Sequence, residues 1–112
     1  MNMLTCIIVD DEQPCVNALK IMIEKKLSHV LKVSGTVNDP LTASAAIELN
    51  KPDIVFLDVE MPVLDGLNLL SSFTNIDFQV IFTTAHQHYA LQAIKLNAID
   101  YLLKPIETKS IN

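Results

Sequence analysis

The chain has 112 residues, half of them hydrophobic, with 13 acidic side chains against eight lysines, no arginine and a net charge of −5. That is enough chain for one packed domain and too little for two. Eight scattered lysines do not make the clustered basic surface that displaces counterions from phosphates, so no direct contact of this domain with nucleic acid is expected.

The first element is an apolar, β-branched run from Leu4 to Val9, closed by Asp10 and Asp11. It reads as a buried strand. It is too short for a signal peptide or a membrane span, so a cytoplasmic protein with no membrane contact is expected. Cys6 and Cys15 fall in apolar stretches without metal-ligand spacing and read as buried, reduced thiols, which fits that compartment. Pro14 suits the first turn of a helix, where its missing N–H costs nothing. Val16, Leu19, Ile23 and Leu27 then recur at helical spacing to about Ser28. From Lys32 to Asn38 the apolar positions fall two apart, as in a half-exposed edge strand.

Asp39 is placed to cap a second helix from Pro40 to about Leu49. Ile54 to Leu57 is a second apolar run, again closed by an aspartate, Asp58. Asp65-Gly66 marks a turn, and the leucines from Leu64 to Phe73 suit a third helix. Val80 to Phe82 reads as a strand ending at Thr83-Thr84. His88 to Leu96 follows as a fourth helix. Ile99 to Leu103 is a last strand, ending at Lys104-Pro105. Buried strands alternating with amphipathic helices predict an α/β fold, a doubly wound parallel sheet covered on both faces. Right-handed crossovers leave few windings, and the flavodoxin-like order 2-1-3-4-5 is expected. Only seven residues follow Pro105. A fifth helix is therefore expected to be truncated or absent, and residues 1–112 to be the N-terminal piece of a longer protein.

In open α/β sheets ligands bind beyond the carboxyl ends of the strands. The polar residues at those ends are Asp10, Asp11, Asp58, Thr84 and Lys104, so all five share one edge. If the first and third strands are neighbours, three carboxylates meet. Two carboxylates about 5 Å apart repel by roughly 3 kcal/mol at an effective dielectric of about 20. Such a cluster needs a cation, or some of its members stay protonated. Oxygen donors favour Mg2+ or Mn2+. A carboxylate nucleophile, a divalent metal, an ammonium and a hydroxyl are the parts that phosphoryl transfer to an aspartate uses. Each residue alone has a plainer role: Asp11 as a helix cap, Thr84 as an ordinary strand residue, Lys104 as a solvated strand end. Asp58, directly after four apolar residues, has the weakest plain reading.

Five segments in order carry a resemblance: Val9-Asp10-Asp11-Glu12, Phe56 through Pro62 around Asp58, Asp65-Gly66, Thr83-Thr84-Ala85 and Asp100-Tyr101-Leu102-Leu103-Lys104-Pro105. Together they resemble the receiver domain of bacterial two-component response regulators over nearly the whole chain. The resemblance implies that Asp58 accepts a phosphoryl group from a sensor histidine kinase. It implies Mg2+ held by Asp11, Asp58 and the backbone carbonyl of Glu60, with Asp10 acting mainly through water. Lys104 would contact the phosphoryl group across a cis Lys104-Pro105 bond, and Thr84 and Tyr101 would form a switch pair. It implies Mg-dependent phosphorylation and dephosphorylation of Asp58, without conventional enzyme turnover. The stretches from Thr84 to Ala90 and from Asn97 to Pro105 further resemble receivers that precede a LytTR-type DNA-binding domain. The partners implied are therefore the kinase, the chain's own C-terminal output domain and a second copy in a homodimer.

Two other readings stay open. One is a phosphorylation-independent binding module on the same fold. The other is a haloacid-dehalogenase-type phosphohydrolase, although that class places an aspartate where Glu60 stands. P-loop and dinucleotide binding are excluded, because the two glycines, Gly35 and Gly66, lie far apart. His86 and His88 read as surface residues, and His29 as a helix-end residue, where an imidazolium is mildly favoured.

Overall fold

The computed structural model describes residues 3–61, 66–71, 73, 76–85 and 100–104. The apolar runs become strands: β1 Leu4–Val9, β2 Leu31–Val37, β3 Ile54–Asp58, β4 Gln79–Thr84 and β5 Asp100–Leu103. All neighbours pair in parallel, in the order β2-β1-β3-β4-β5. The chain thus moves outward from β1 to β2, then returns to build β3, β4 and β5 on the other side. The winding reverses between β1 and β3, where Val9 lies level with Leu57. Asp10 and Asp58 are the next residue on each strand line, so the two leave the sheet side by side.

Period-two alternation sorts the strand residues between two cores. Cys6, Ile8 and Phe56 face one way, against Val16, Leu19, Met22 and Ile23 of the helix α1 (Gln13–Lys26). Ile7, Val9, Val55 and Leu57 face the other way, against Ile47 of α2 (Ala43–Asn50) and Leu69 of α3 (Gly66–Ser71). Pro14 sits in the first turn of α1 as the sequence suggests, and Lys25 and Lys26 occupy its last turn, where the helix dipole favours positive charge. No helix among the described residues is long and apolar enough to cross a membrane.

Two expectations need correction. The second helix does not begin at Pro40: Pro40–Thr42 forms a 3₁₀ turn, and the α-helix starts at Ala43. Asp39 caps that tighter turn, its Oδ1 accepting from the Leu41 N–H at 3.0 Å, while the Thr42 hydroxyl donates to the Asp39 carbonyl. These short-range bonds favour the tighter winding. Cys6 is fully buried, but Cys15 is only partly so, on the edge of α1. The predicted fourth helix, His86 and the chain after Lys104, including the fifth helix, lie outside the described residues.

Leu57 is wholly buried in the core beneath α2 and α3. Leu57→Ala is expected to lower stability by about 2–5 kcal/mol, read as a lower urea midpoint at unchanged slope. An unmoved midpoint would contradict this packing.

Candidate functional site

Three strand ends deliver the site. Asp10 follows β1 and extends its pairing, its N–H donating to the Val37 carbonyl at 3.0 Å. Asp58 is the last residue of β3. Lys104 follows β5, anchored by its N–H to the Thr84 carbonyl at 2.7 Å. Asp10 and Asp58 are 3% and 1% exposed, far below what an unpartnered carboxylate tolerates. Their partner is Lys104, whose Nζ lies 3.0 Å from Asp10 Oδ2, 3.3 Å from Asp58 Oδ2 and 3.4 Å from Glu12 Oε1. The far oxygens turn to backbone: Glu12 N–H donates to Asp10 Oδ1 at 3.0 Å, and Glu60 N–H donates to Asp58 Oδ1 at 3.1 Å.

The electrostatics follow from this crowding. Burial pushes the Asp58 carboxyl up to about 7, and the Asp10 charge adds to the rise, against the pull of Lys104 and the Glu60 N–H. Burial works against the Lys104 charge, yet the Asp10 hydrogen bond and the two aspartate charges outweigh it. The ammonium therefore holds its proton above the usual lysine range. Cys15 lies nearby, its thiol within 3.7 Å of Glu12 Oε1 and raised chiefly by burial.

Four carboxylates, those of Asp10, Asp11, Glu12 and Asp58, each bring an oxygen within 4.8 Å of the others. One ammonium cannot neutralise four. Two buried oxygens, Asp11 Oδ1 and Asp58 Oδ2, have no hydrogen-bond donor among the described residues, although the latter lies within ion-pair reach of Lys104. Unfilled acceptors in an all-oxygen set fit a hard divalent cation. The residues present can therefore hold one.

Asp10, Asp11, Asp58 and Lys104 are brought together, as the strand-end reading anticipates. Thr84 is 1% exposed and stands one step beyond Thr83, the register partner of Asp58. Asp11 does not cap α1: the cap position is Glu12, and no side chain bonds the helix end there. The side chain of Tyr101 and the Lys104-Pro105 bond lie outside the described residues. Two contributors escape the sequence reading. Glu12 joins the carboxylate ring, signalled only by being a third consecutive acid. Gly66, read as a turn residue, packs against the acceptor strand: a Cβ there would overlap the Asp58 carbonyl oxygen and lie 3.0 Å from Leu57 Cγ. Its N–H also donates to the Val59 carbonyl at 2.9 Å.

Residues 6–112 match the family described as response regulator receiver domain. An uncharacterised response regulatory protein of Vibrio cholerae is 40% identical over 97% of this chain and 46% of its own length. The sensory transduction protein LytT of Bacillus anthracis is 36% identical over 97% of the chain and 44% of its own length. The chain thus spans slightly less than half the length of the curated relatives it matches. Among solved structures, the response regulatory domain of protein mrkE from Klebsiella pneumoniae is 31% identical, with a TM-score of 0.83 over 96% of this chain and 88% of that one. The receiver domain of AraT from Geobacillus stearothermophilus is 26% identical, with a TM-score of 0.85 over 97% and 87%.

A carboxyl whose pKa is higher folded than unfolded favours folding when protonated. For Asp58 that contribution is full below about 3.8 and lost as pH rises through about 7. In chelator, Asp58→Asn should therefore gain stability over the wild type progressively between those values, and a difference that stays flat with pH would show that Asp58 titrates normally. Gly66→Ala should cost about 1–3 kcal/mol, because its methyl must displace the Asp58 backbone. An unchanged urea midpoint would mean that α3 yields instead.

Proposed function

This chain belongs to the response regulator receiver family, a family of phosphorelay signalling domains, and from that footing we propose that it accepts a phosphoryl group on Asp58 from a sensor histidine kinase. The observation that carries the proposal is Asp58 Oδ2: a buried oxygen without a hydrogen-bond donor among the described residues, beside Lys104, in a ring of carboxylates.

Phosphoryl transfer asks little covalent work of a protein and much positioning and charge stabilisation. Asp58 Oδ2 is the attacking atom, since Oδ1 is fixed on the Glu60 N–H. The new bond joins that oxygen to phosphorus as the bond to the donor histidine nitrogen breaks. Asp11, Asp58 and the Glu60 carbonyl would hold Mg2+ or Mn2+, with Asp10 acting through water. The ion supplies positive charge for the phosphoryl oxygens and the acid cluster. Lys104 exchanges part of its carboxylate contacts for a phosphoryl oxygen, and Thr84 donates its hydroxyl to another.

The phosphoryl group adds roughly −1.5 to −2 charges and three acceptor oxygens. Thr84, drawn toward it, frees space that Tyr101 fills, which alters the face beside β5. A shift from 1:99 to 99:1 requires about 5.5 kcal/mol of differential binding. A few charge-assisted hydrogen bonds of about 1.5–3 kcal/mol each are enough. The likeness to LytT and the run from Asn97 to Pro105 support a C-terminal LytTR-type, DNA-binding output domain, with homodimerisation as part of the output.

The test is incubation with Mg2+ and acetyl phosphate, followed by intact mass spectrometry. The wild type should gain one phosphoryl group. Asp58→Asn should gain none, and Lys104→Ala or omission of the ion should greatly slow uptake. Labelling that survives in Asp58→Asn would place the acceptor elsewhere.

A further inference from the structure

We infer that Glu12 is an electrostatic gate at the exposed rim of the carboxylate cluster around Asp58, holding Lys104 and slowing the approach of anionic phosphodonors. The inference rests on Asp58 being the acceptor. The Glu12 side chain is 62% exposed, whereas that of Lys104 is only 12% exposed. Glu12 nonetheless turns its carboxylate inward, with Oε1 placed 3.4 Å from Lys104 Nζ. Three features hold it there. Its backbone N–H is pinned to Asp10 Oδ1. The Cys15 thiol donates to the same Oε1 at 3.7 Å. As the cap residue of α1 it makes no side-chain bond to the helix end, so its charge is not consumed locally.

Glu12 therefore sets an exposed carboxylate against the mostly buried ammonium that, beside the ion, a phosphoryl group would meet. A phosphodonor arriving from solvent finds Lys104 engaged by three carboxylates, of which Glu12 is the exposed one. The same charge has a second, opposite effect. Glu12 brings an oxygen within 4.8 Å of the other three carboxylates, so it strengthens the pull on a divalent cation. Rim charges act mainly on association rate and its salt dependence, which separates this role from a packing one.

The experiment compares Glu12→Gln, Cys15→Ala and the remote, exposed Glu48→Gln with the wild type. The initial rate of phosphoryl uptake from acetyl phosphate is measured at saturating Mg2+ and at two salt concentrations. Mg2+ affinity is measured separately, from the amide resonance of Glu60. Glu12→Gln should accept the group about threefold to tenfold faster at low salt, with the gain shrinking as salt screens the charge. Its Mg2+ affinity should fall by about twofold to fivefold. Cys15→Ala should move both readings the same way by less, and Glu48→Gln should leave both unchanged. Uptake by Glu12→Gln at or below the wild-type rate overturns the gate. If the wild type takes up no phosphoryl group, the reading of Asp58 fails first. Unchanged Mg2+ affinity in Glu12→Gln would then dispose of the Glu12 inference independently.

Discussion

The structure depends on one ammonium set among buried acids. Asp10 and Asp58 are nearly solvent-free, adjacent and of like charge, an arrangement that carries a heavy desolvation cost unless a cation compensates it. Lys104 Nζ touches both, and it reaches them only because β5 is the fifth strand of a sheet wound outward from β3. Removing one member of a buried ion pair costs about 3–5 kcal/mol, because the other charge is left stranded. The site thus depends on the position of β5, which its parallel pairing with β4 fixes.

The balance is incomplete by construction. One ammonium among four carboxylates leaves the cluster short of positive charge, and the two unfilled oxygens, on Asp11 and Asp58, mark where the shortfall is concentrated. Burial first, and then the Asp10 charge, raise the carboxyl pKa of Asp58, so the same place also attracts a proton. A divalent cation and a proton are therefore alternative remedies, and binding the first must expel the second. The proposed function rests on this edge of the sheet, since a parallel scaffold hosts many unrelated activities and does not itself specify one.

Much of this was legible from residue order. Apolar runs that each end in a polar residue located β1, β3, β4 and β5 to within about two residues, and period-two alternation located the half-exposed edge strand β2. The same endings put Asp10, Asp58 and Lys104 on one edge. What escaped depended on three-dimensional proximity or on fine backbone geometry. The opening of α2 was mistaken because a capping aspartate before proline suits a 3₁₀ turn as well as an α-helix. Glu12 was passed over because a third acid at a helix start ordinarily faces water. Gly66 reads as a turn in any sequence, and its closeness to the Asp58 carbonyl is invisible until α3 is laid against β3. Cys15 lay in an apolar stretch but on the partly open side of its helix.

Lys104 lies 92 residues beyond Glu12, with β2, β3, β4 and β5 between them in the chain. A ribosome releases the acids long before their counter-charge. Until the last strand emerges, burying the aspartates has no lysine from β5 to offset it, so the emerging half-sheet has reason to stay open. The aspartate pair therefore gains its counter-charge from β5, the last described strand in chain order.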